Sequence, residues 1–359
     1  MQKDKKRLLN ADLIRVIAML MVIFLHTVLN FTIRPDFFPS KLWFVFEPIV
    51  AISKTCVLLF FMLSGYLVIA KKRSIQENIN KTIKKIVTPL FFFSMVNVAY
   101  AWTKFNYNGQ NFDQFTLQQI QGVIIFPSSP LWFLVVLSVL YLLNPVWQLV
   151  FAREQKPSLA KFLTIAALLL SLTVTVLEFP AQKIGSSFTN FTAWTGFAFF
   201  YLYGGLVKNK WIDISRQKIN LSLVAVGLLL TIVGDYLSMW LQMHQVPFTW
   251  INYSGQYLSI PVTMMAIGIF NYLITADLSK LSKKITGPVI WLAGLSFGIY
   301  LTHTYIISLF TDILGFDFNK VQMNVYLYNL LNVILVLLLS IVATMLLKKT
   351  PKLRAIIGE

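Results

Sequence analysis

Ten apolar stretches dominate this chain, at about residues 12–33, 48–70, 86–103, 130–150, 159–179, 192–207, 218–241, 255–276, 289–311 and 324–347. Most approach or exceed the ~20 residues that a helix needs to cross the hydrocarbon core of a bilayer. The sixth is short, and the third contains Pro89. Lipid offers no partner to backbone N–H and C=O groups, so runs of this composition must satisfy them internally, as helices. With 57% hydrophobic and 13% charged residues and a mean hydropathy of +0.69, the chain falls outside the range of soluble domains. The expected fold is therefore an all-α integral membrane protein of about ten transmembrane helices. It forms one domain over residues 1–359, without a soluble module or a 20–50-residue repeat.

The basic residues orient it. Lys3, Lys5, Lys6 and Arg7 precede the first stretch, and Lys71, Lys72, Arg73, Lys81, Lys84 and Lys85 follow the second. Further basic groups fall in the fourth, sixth and eighth connections and after the last stretch. Of 31 Lys and Arg, 24 lie on this side and five on the other (Arg34, Lys41, Lys104, Lys183 and Lys320), which leaves Arg15 and Lys54 in or near the membrane. The positive-inside rule then places both termini in the cytoplasm. The same asymmetry accounts for the net charge of +17 without a nucleic-acid partner. The first stretch is too long for a secretory signal and has no small-residue cleavage site after it. The single cysteine, Cys56, excludes a disulfide framework, and no zinc-ligand spacing occurs, so no metal is expected.

Two ionisable residues interrupt the first stretch. Arg15 and His26 are eleven positions apart, which places them on one helix face and about 16 Å apart along the axis. Ionisable groups inside a membrane are costly and so are functional candidates. A guanidinium at the rim suits a phosphate; the competing reading is an ion pair with Asp12. Arg73, Lys84 and Lys85 of the inner connection, with Lys81, are expected to add cations to the same anion, although such charges also serve topology. His303, in the ninth stretch, lies about as deep as His26, while His244 falls in an outer loop and is expected to be solvated. Imidazole suits acid–base or nucleophilic work near neutral pH; a histidine that merely packs is the alternative. Glu47 and Asp235 lie toward the outer side, where either would orient a sugar hydroxyl or form a structural hydrogen bond. Ser64-Gly65 reads as a close helix approach rather than a nucleophile, and Trp132 as an interfacial anchor.

In combination, these residues resemble the membrane acyltransferase-3 family. Its Arg and His separated by ten residues are matched by Arg15 and His26, and its FF-x-x-SG-[YF]-L by Phe60 to Leu67. Its basic run leading to a proline is matched by Lys84 to Pro89, its fourth-helix pattern by Leu131 to Leu134, and its S-x-x-IYL-x-H by Ser296 to His303. The resemblance spans essentially the whole chain. It departs at Leu58-Leu59, where many members have an Asp before the FF. The resemblance implies a multi-pass enzyme of the cell membrane, bacterial by expectation, that moves an acyl group from cytoplasmic acyl-CoA to a hydroxyl of a cell-surface or lipid-linked glycan. Acetyl-CoA is the expected donor. No fused SGNH-type domain follows, so transfer is expected to be direct or completed by a separate extracytoplasmic protein. The resemblance implies a donor held by Arg15, Arg73, Lys84 and Lys85, with His26 and His303 at the reacting centre. The rival reading is a polysaccharide or solute transporter; against it, the sequence shows neither an internal repeat nor paired broken helices.

Overall fold

The computed structural model describes residues 8–107, 131–152, 157–182, 189–247, 252–316 and 323–359. Lys3, Lys5, Lys6, Arg7, Arg153, Lys156, Lys183, Lys320 and most of the longest expected outer loop lie outside these. All regular elements among the described residues are helical. Six helical segments are long and apolar enough to cross a membrane, or seven if one bent pair counts as a single span, and two further apolar helices are shorter. The chain is a multi-pass membrane protein. Its outward apolar side chains, such as Leu229 on one long helix and Leu330 and Leu338 on another, would be a liability in water and suit lipid.

Helix α1 (Leu9–Thr32) is the central rod, packed against α2 (Lys41–Ser53), α3 (Cys56–Val68), α12 (Lys283–Ser308) and α13 (Val325–Leu347). At its start, the Asn10 side chain donates to the carbonyls of Leu273 and Ala276, both at 2.8 Å. These close the end of α11 (Ile260–Thr275), whose last carbonyls have no partner within the helix.

Two span starts differ from those read in the sequence, and two spans are interrupted. The second span starts at Lys41 rather than 48, because Ser40 caps it by accepting the Trp43 N–H. It thereby takes in Glu47, which the hydropathy reading left outside the stretch, and keeps Lys54. It also carries an interruption at Lys54–Thr55, between α2 and α3. The third span starts at Ile75 rather than 86: Ser74 caps α4 (Ile75–Thr82) through the Glu77 N–H at 3.1 Å, and the helix continues through a π turn at Ile83–Val87 into α5 (Thr88–Tyr107). Pro89 has no N–H to return to the Lys85 carbonyl, which accounts for the wider turn. The fourth span is bent by 53° between α6 (Trp132–Leu142) and α7 (Asn144–Val150), where Pro145 breaks the ladder. The two discontinuous spans were not visible in the hydropathy pattern.

Beyond α8 (Pro157–Gln182), α9 (Thr189–Lys208) crosses α3 at very short range. A Cβ on Gly65 would lie 1.8 Å from the Tyr201 carbonyl oxygen, and one on Gly204 would lie 1.9 Å from that of Met62. Gly65 therefore serves helix approach, as its sequence context suggested. Helices α10 (Gln217–Met243) and α11 pack together, as do α12 and α13, and a short α14 (Pro351–Ala355) follows.

Candidate active site: a basic cavity and a pair of imidazoles

One cavity of about 480 Å³ gathers most of the candidates. Its mouth is basic: Arg15 from α1, Lys71 and Arg73 from the connection after α3, Lys81 from α4 and Lys85 from the π turn all line it. Lys84, the neighbour of Lys85, is exposed and does not line it; successive helical residues point about 100° apart. Of the four expected phosphate contacts, three converge and Lys84 does not.

Carboxylates orient these cations without cancelling them. Asp12, on the turn below Arg15, is buried and accepts from Arg15 Nη1 at 2.9 Å, so the guanidinium is held at the mouth by a partner placed one turn away. Glu77 lies 2.5 Å from Lys81 Nζ and 3.9 Å from Arg73 Nε. The end of the chain folds back here as well: Ile357, Gly358 and Glu359 line the cavity, Ile357 is buried, and Glu359 pairs with Lys348. Gly358 has φ +72°, and a Cβ on it would lie 2.7 Å from the Lys85 carbonyl oxygen. A glycine there meets both requirements.

The cavity wall contains a buried amide network. Asn144 donates to Asn78 at 3.2 Å, Asn78 donates to Gln148 at 3.3 Å, and the Tyr201 hydroxyl donates to Asn144 at 3.1 Å. It ties α4, α7 and α9 together beneath the basic mouth. Neither asparagine stands out in the sequence; only the Asn-Pro break draws attention to one of them. Ser64 lines the same wall.

Three aromatic rings close the far end of the cavity: Phe60, Phe133 and Tyr300. Their centroids form a triangle of 5.9, 5.6 and 6.2 Å. Next to this triangle is the His303 ring, 5.8 Å from Tyr300, and the His26 ring is 5.2 Å from that of His303. The two histidines expected at matched depth are thus neighbours, brought together by the packing of α1 on α12. Neither lines the cavity, although Arg15, on the same face of α1 as His26, does. His303 is fully buried; its Nδ1 lies 2.6 Å from the Tyr300 carbonyl oxygen, and its Nε2 has no hydrogen-bond partner among the described residues. A carbonyl can only accept, so Nδ1 carries the hydrogen and Nε2 is left with its lone pair in the neutral ring. His26, by contrast, is exposed.

Glu47 and Asp235 are occupied elsewhere. Lys54 Nζ lies 2.8 Å from Asp235 Oδ2 and 4.0 Å from Glu47 Oε1, and Ser254 donates to Asp235 Oδ1 at 2.6 Å. This cluster joins the α2–α3 interruption to α10 and to the segment before α11; Asp235 is hydrogen-bonded within it, whereas Glu47 Oε1 has no hydrogen-bond partner among the described residues. His244 is exposed beyond α10 and stacked on Trp240 at 4.2 Å. Trp132 is half-buried against Phe197 and Tyr257. Among the described residues, no group of three or more His, Cys, Asp or Glu could hold a metal ion.

No curated protein sequence and no solved structure matches the chain. A family model described as an acyltransferase domain matches residues 8–349. That span contains the Arg15–His26 pair, the Phe60–Leu67 stretch beside the cavity and the helix carrying Tyr300 and His303. The match covers nearly the whole chain, and the protein belongs to the acyltransferase-3 family.

Proposed function

We propose that this protein is an O-acyltransferase that takes an acyl group from cytoplasmic acyl-CoA and delivers it to a hydroxyl of a cell-surface or lipid-linked glycan. The observation that carries this reading is a basic-mouthed cavity whose far end abuts the His26–His303 pair. Acyl-CoA has matching polarity, with phosphates at one end and a thioester at the other. In this reading Arg15, Arg73 and Lys85 hold the phosphates, helped by Lys71 and Lys81. Guanidinium forks suit phosphate oxygens. The pantetheine arm runs along the wall of Ser64 and the amide network, and the thioester reaches the aromatic end.

At the reacting centre the imidazoles work as a pair. One neutral imidazole takes the proton of the acceptor hydroxyl while its oxygen attacks the thioester carbonyl; the C–S bond breaks, and the thiolate leaves and takes up a proton. Alternatively, a neutral His26 nitrogen attacks the thioester carbonyl, the C–S bond breaks and the thiolate leaves with the imidazole proton; the acceptor oxygen then displaces the imidazole from the acyl carbon, and its proton passes to the freed imidazole. His26 keeps accessible surface although protein surrounds it closely, which supports it as the group that meets the acceptor, and the orphaned Nε2 of His303 supplies a buried lone pair beside it. The basic asymmetry of the sequence supports ten spans with both termini and the cavity mouth on the cytoplasmic face, in a bacterial plasma membrane. Acetyl-CoA is the donor we expect. We assign Glu47 and Asp235 to architecture rather than to the acceptor. A separate extracytoplasmic protein completing the transfer fits the same scheme.

The test is thiol release from labelled acetyl-CoA by purified protein in liposomes, with wild type beside Arg15→Ala and His26→Ala. Release abolished in His26→Ala and a raised donor KM in Arg15→Ala are the expected results. Full release in folded His26→Ala would sink the proposal. The discontinuities at Lys54–Thr55 and at Leu143 favour one rival, a transporter of glycan or solute. That rival predicts no thiol release from the wild type.

A further inference from the structure

We propose that Phe60, Phe133 and Tyr300 form an acyl filter that restricts the donor to short acyl thioesters; this rests on the acyl-CoA reading above. The three rings come from three helices, α3, α6 and α12, and meet with centroids about equally spaced, at 5.9, 5.6 and 6.2 Å. Rings at such separations are in van der Waals contact, so no channel passes between them in this state. All three line the cavity, whereas the imidazoles beyond them do not. The rings therefore stand between the cavity and the His303 imidazole, 5.8 Å beyond Tyr300, and an acyl group taking this route from the basic mouth crosses their contact.

The triangle is stiff on one side and yielding on the other. Phe133 is backed by Phe61 at 4.7 Å, and Phe61 is stacked on Phe197 at 5.0 Å. Tyr300 is buried and sits on the turn whose carbonyl accepts from His303, so displacing it would disturb the imidazole. Phe60 is only half-buried and borders open cavity, which makes it the ring with room to rotate. A small rotation admits a two-carbon group. A longer chain would occupy the space between the rings continuously and require Phe60 to leave its packing altogether.

The experiment compares kcat/KM for thiol release from acetyl-, butyryl- and octanoyl-CoA in wild type, Phe60→Ala, Phe60→Leu and Phe133→Ala, with Phe197→Ala as a packing control behind the filter. Wild type should prefer acetyl over octanoyl by ~100-fold, and Phe60→Ala should raise the octanoyl-to-acetyl ratio by ~10-fold or more, a size typical of pocket discrimination by a few carbons. Phe60→Leu, the variant more certain to fold, should shift the ratio in the same direction by less. Phe197→Ala, one layer behind Phe133, should lower thermal stability and move the ratio far less than Phe133→Ala does. An unchanged ratio in folded Phe60 variants, or a wild type that uses octanoyl-CoA as well as acetyl-CoA, would overturn the filter and leave the acyl-CoA reading standing. No release from any donor by folded wild type would remove that reading and the filter with it.

Discussion

The very close crossing of α3 and α9 predicts a sharp contrast among glycine-to-alanine substitutions. An alanine at Gly65 would place its Cβ 1.8 Å from the Tyr201 carbonyl oxygen, whereas ordinary contact begins near 3.4 Å. The obstacle is backbone, so α3 and α9 must part by about 1.5 Å. With ~50 atom pairs across the interface, each worth ~0.15 kcal/mol, losing about half of that attraction costs ~4 kcal/mol. Gly204→Ala meets the Met62 carbonyl oxygen at 1.9 Å and should cost about the same. The two costs should not add: once either methyl has separated the helices, the second finds part of its space already made, so the double variant should fall well short of the sum. At Gly287, on α12, a Cβ meets nothing within 4 Å, and alanine there should be neutral or stabilise the helix by up to ~1 kcal/mol. Thermal denaturation of the detergent-solubilised proteins, followed by loss of the monodisperse species, reads all four. A drop of ~5–10 °C is expected for either close-crossing variant and none for Gly287→Ala. A Gly65→Ala protein as stable as wild type would refute the close-crossing argument.

Three further outcomes follow from the charged groups and the chain end. Removing Lys54 (Lys54→Met) leaves the Asp235 and Glu47 carboxylates without their common cation and should destabilise by ~3–5 kcal/mol, while Lys54→Met combined with Asp235→Leu should recover much of that; denaturation midpoints of the single and double variants decide it. Lys85→Ala should raise the donor KM several-fold and the adjacent Lys84→Ala should not, because only Lys85 lines the cavity; equal effects would mean that the basic run acts through bulk charge. Gly358→Val should displace the chain end from the Lys85 carbonyl, seen as a raised donor KM with kcat retained, and an unchanged KM would show that this end takes no part in the cavity.

How far the sequence could be read depended on how local each signal was. The pairing of His26 with His303 was legible because depth in a membrane helix can be counted along the chain, and two imidazoles at one depth on helices that meet become neighbours. Arg15, Arg73 and Lys85 were legible as a group because topology gathers the basic residues at one level, but the same signal could not separate Lys85 from Lys84. That distinction depends on the phase of a π turn ahead of Pro89. Glu47 and Asp235 were visible only as membrane carboxylates. Their partner Lys54 lies 181 positions from Asp235, and hydropathy is blind to a pair that neutralises itself. The helix starts at Lys41 and Ile75 failed for the same reason, since charges at a span's end lower its hydropathy while capped serines prolong its helix. The amide network of Asn78 and Asn144 had no linear signature.

The arrangement also explains why Arg15 and His26 are useful on one rigid rod. Helix α1 packs on five neighbours, so the two positions keep a fixed axial separation of about 16 Å. The triangle of Phe60, Phe133 and Tyr300 is built from other helices. In the proposed reading Phe60, on α3, can therefore yield to an acyl group without moving Arg15 or either imidazole. In this reading, donor binding, acyl selection and transfer are assigned to groups that different helices position, with α1 providing the fixed distance between the first and the last.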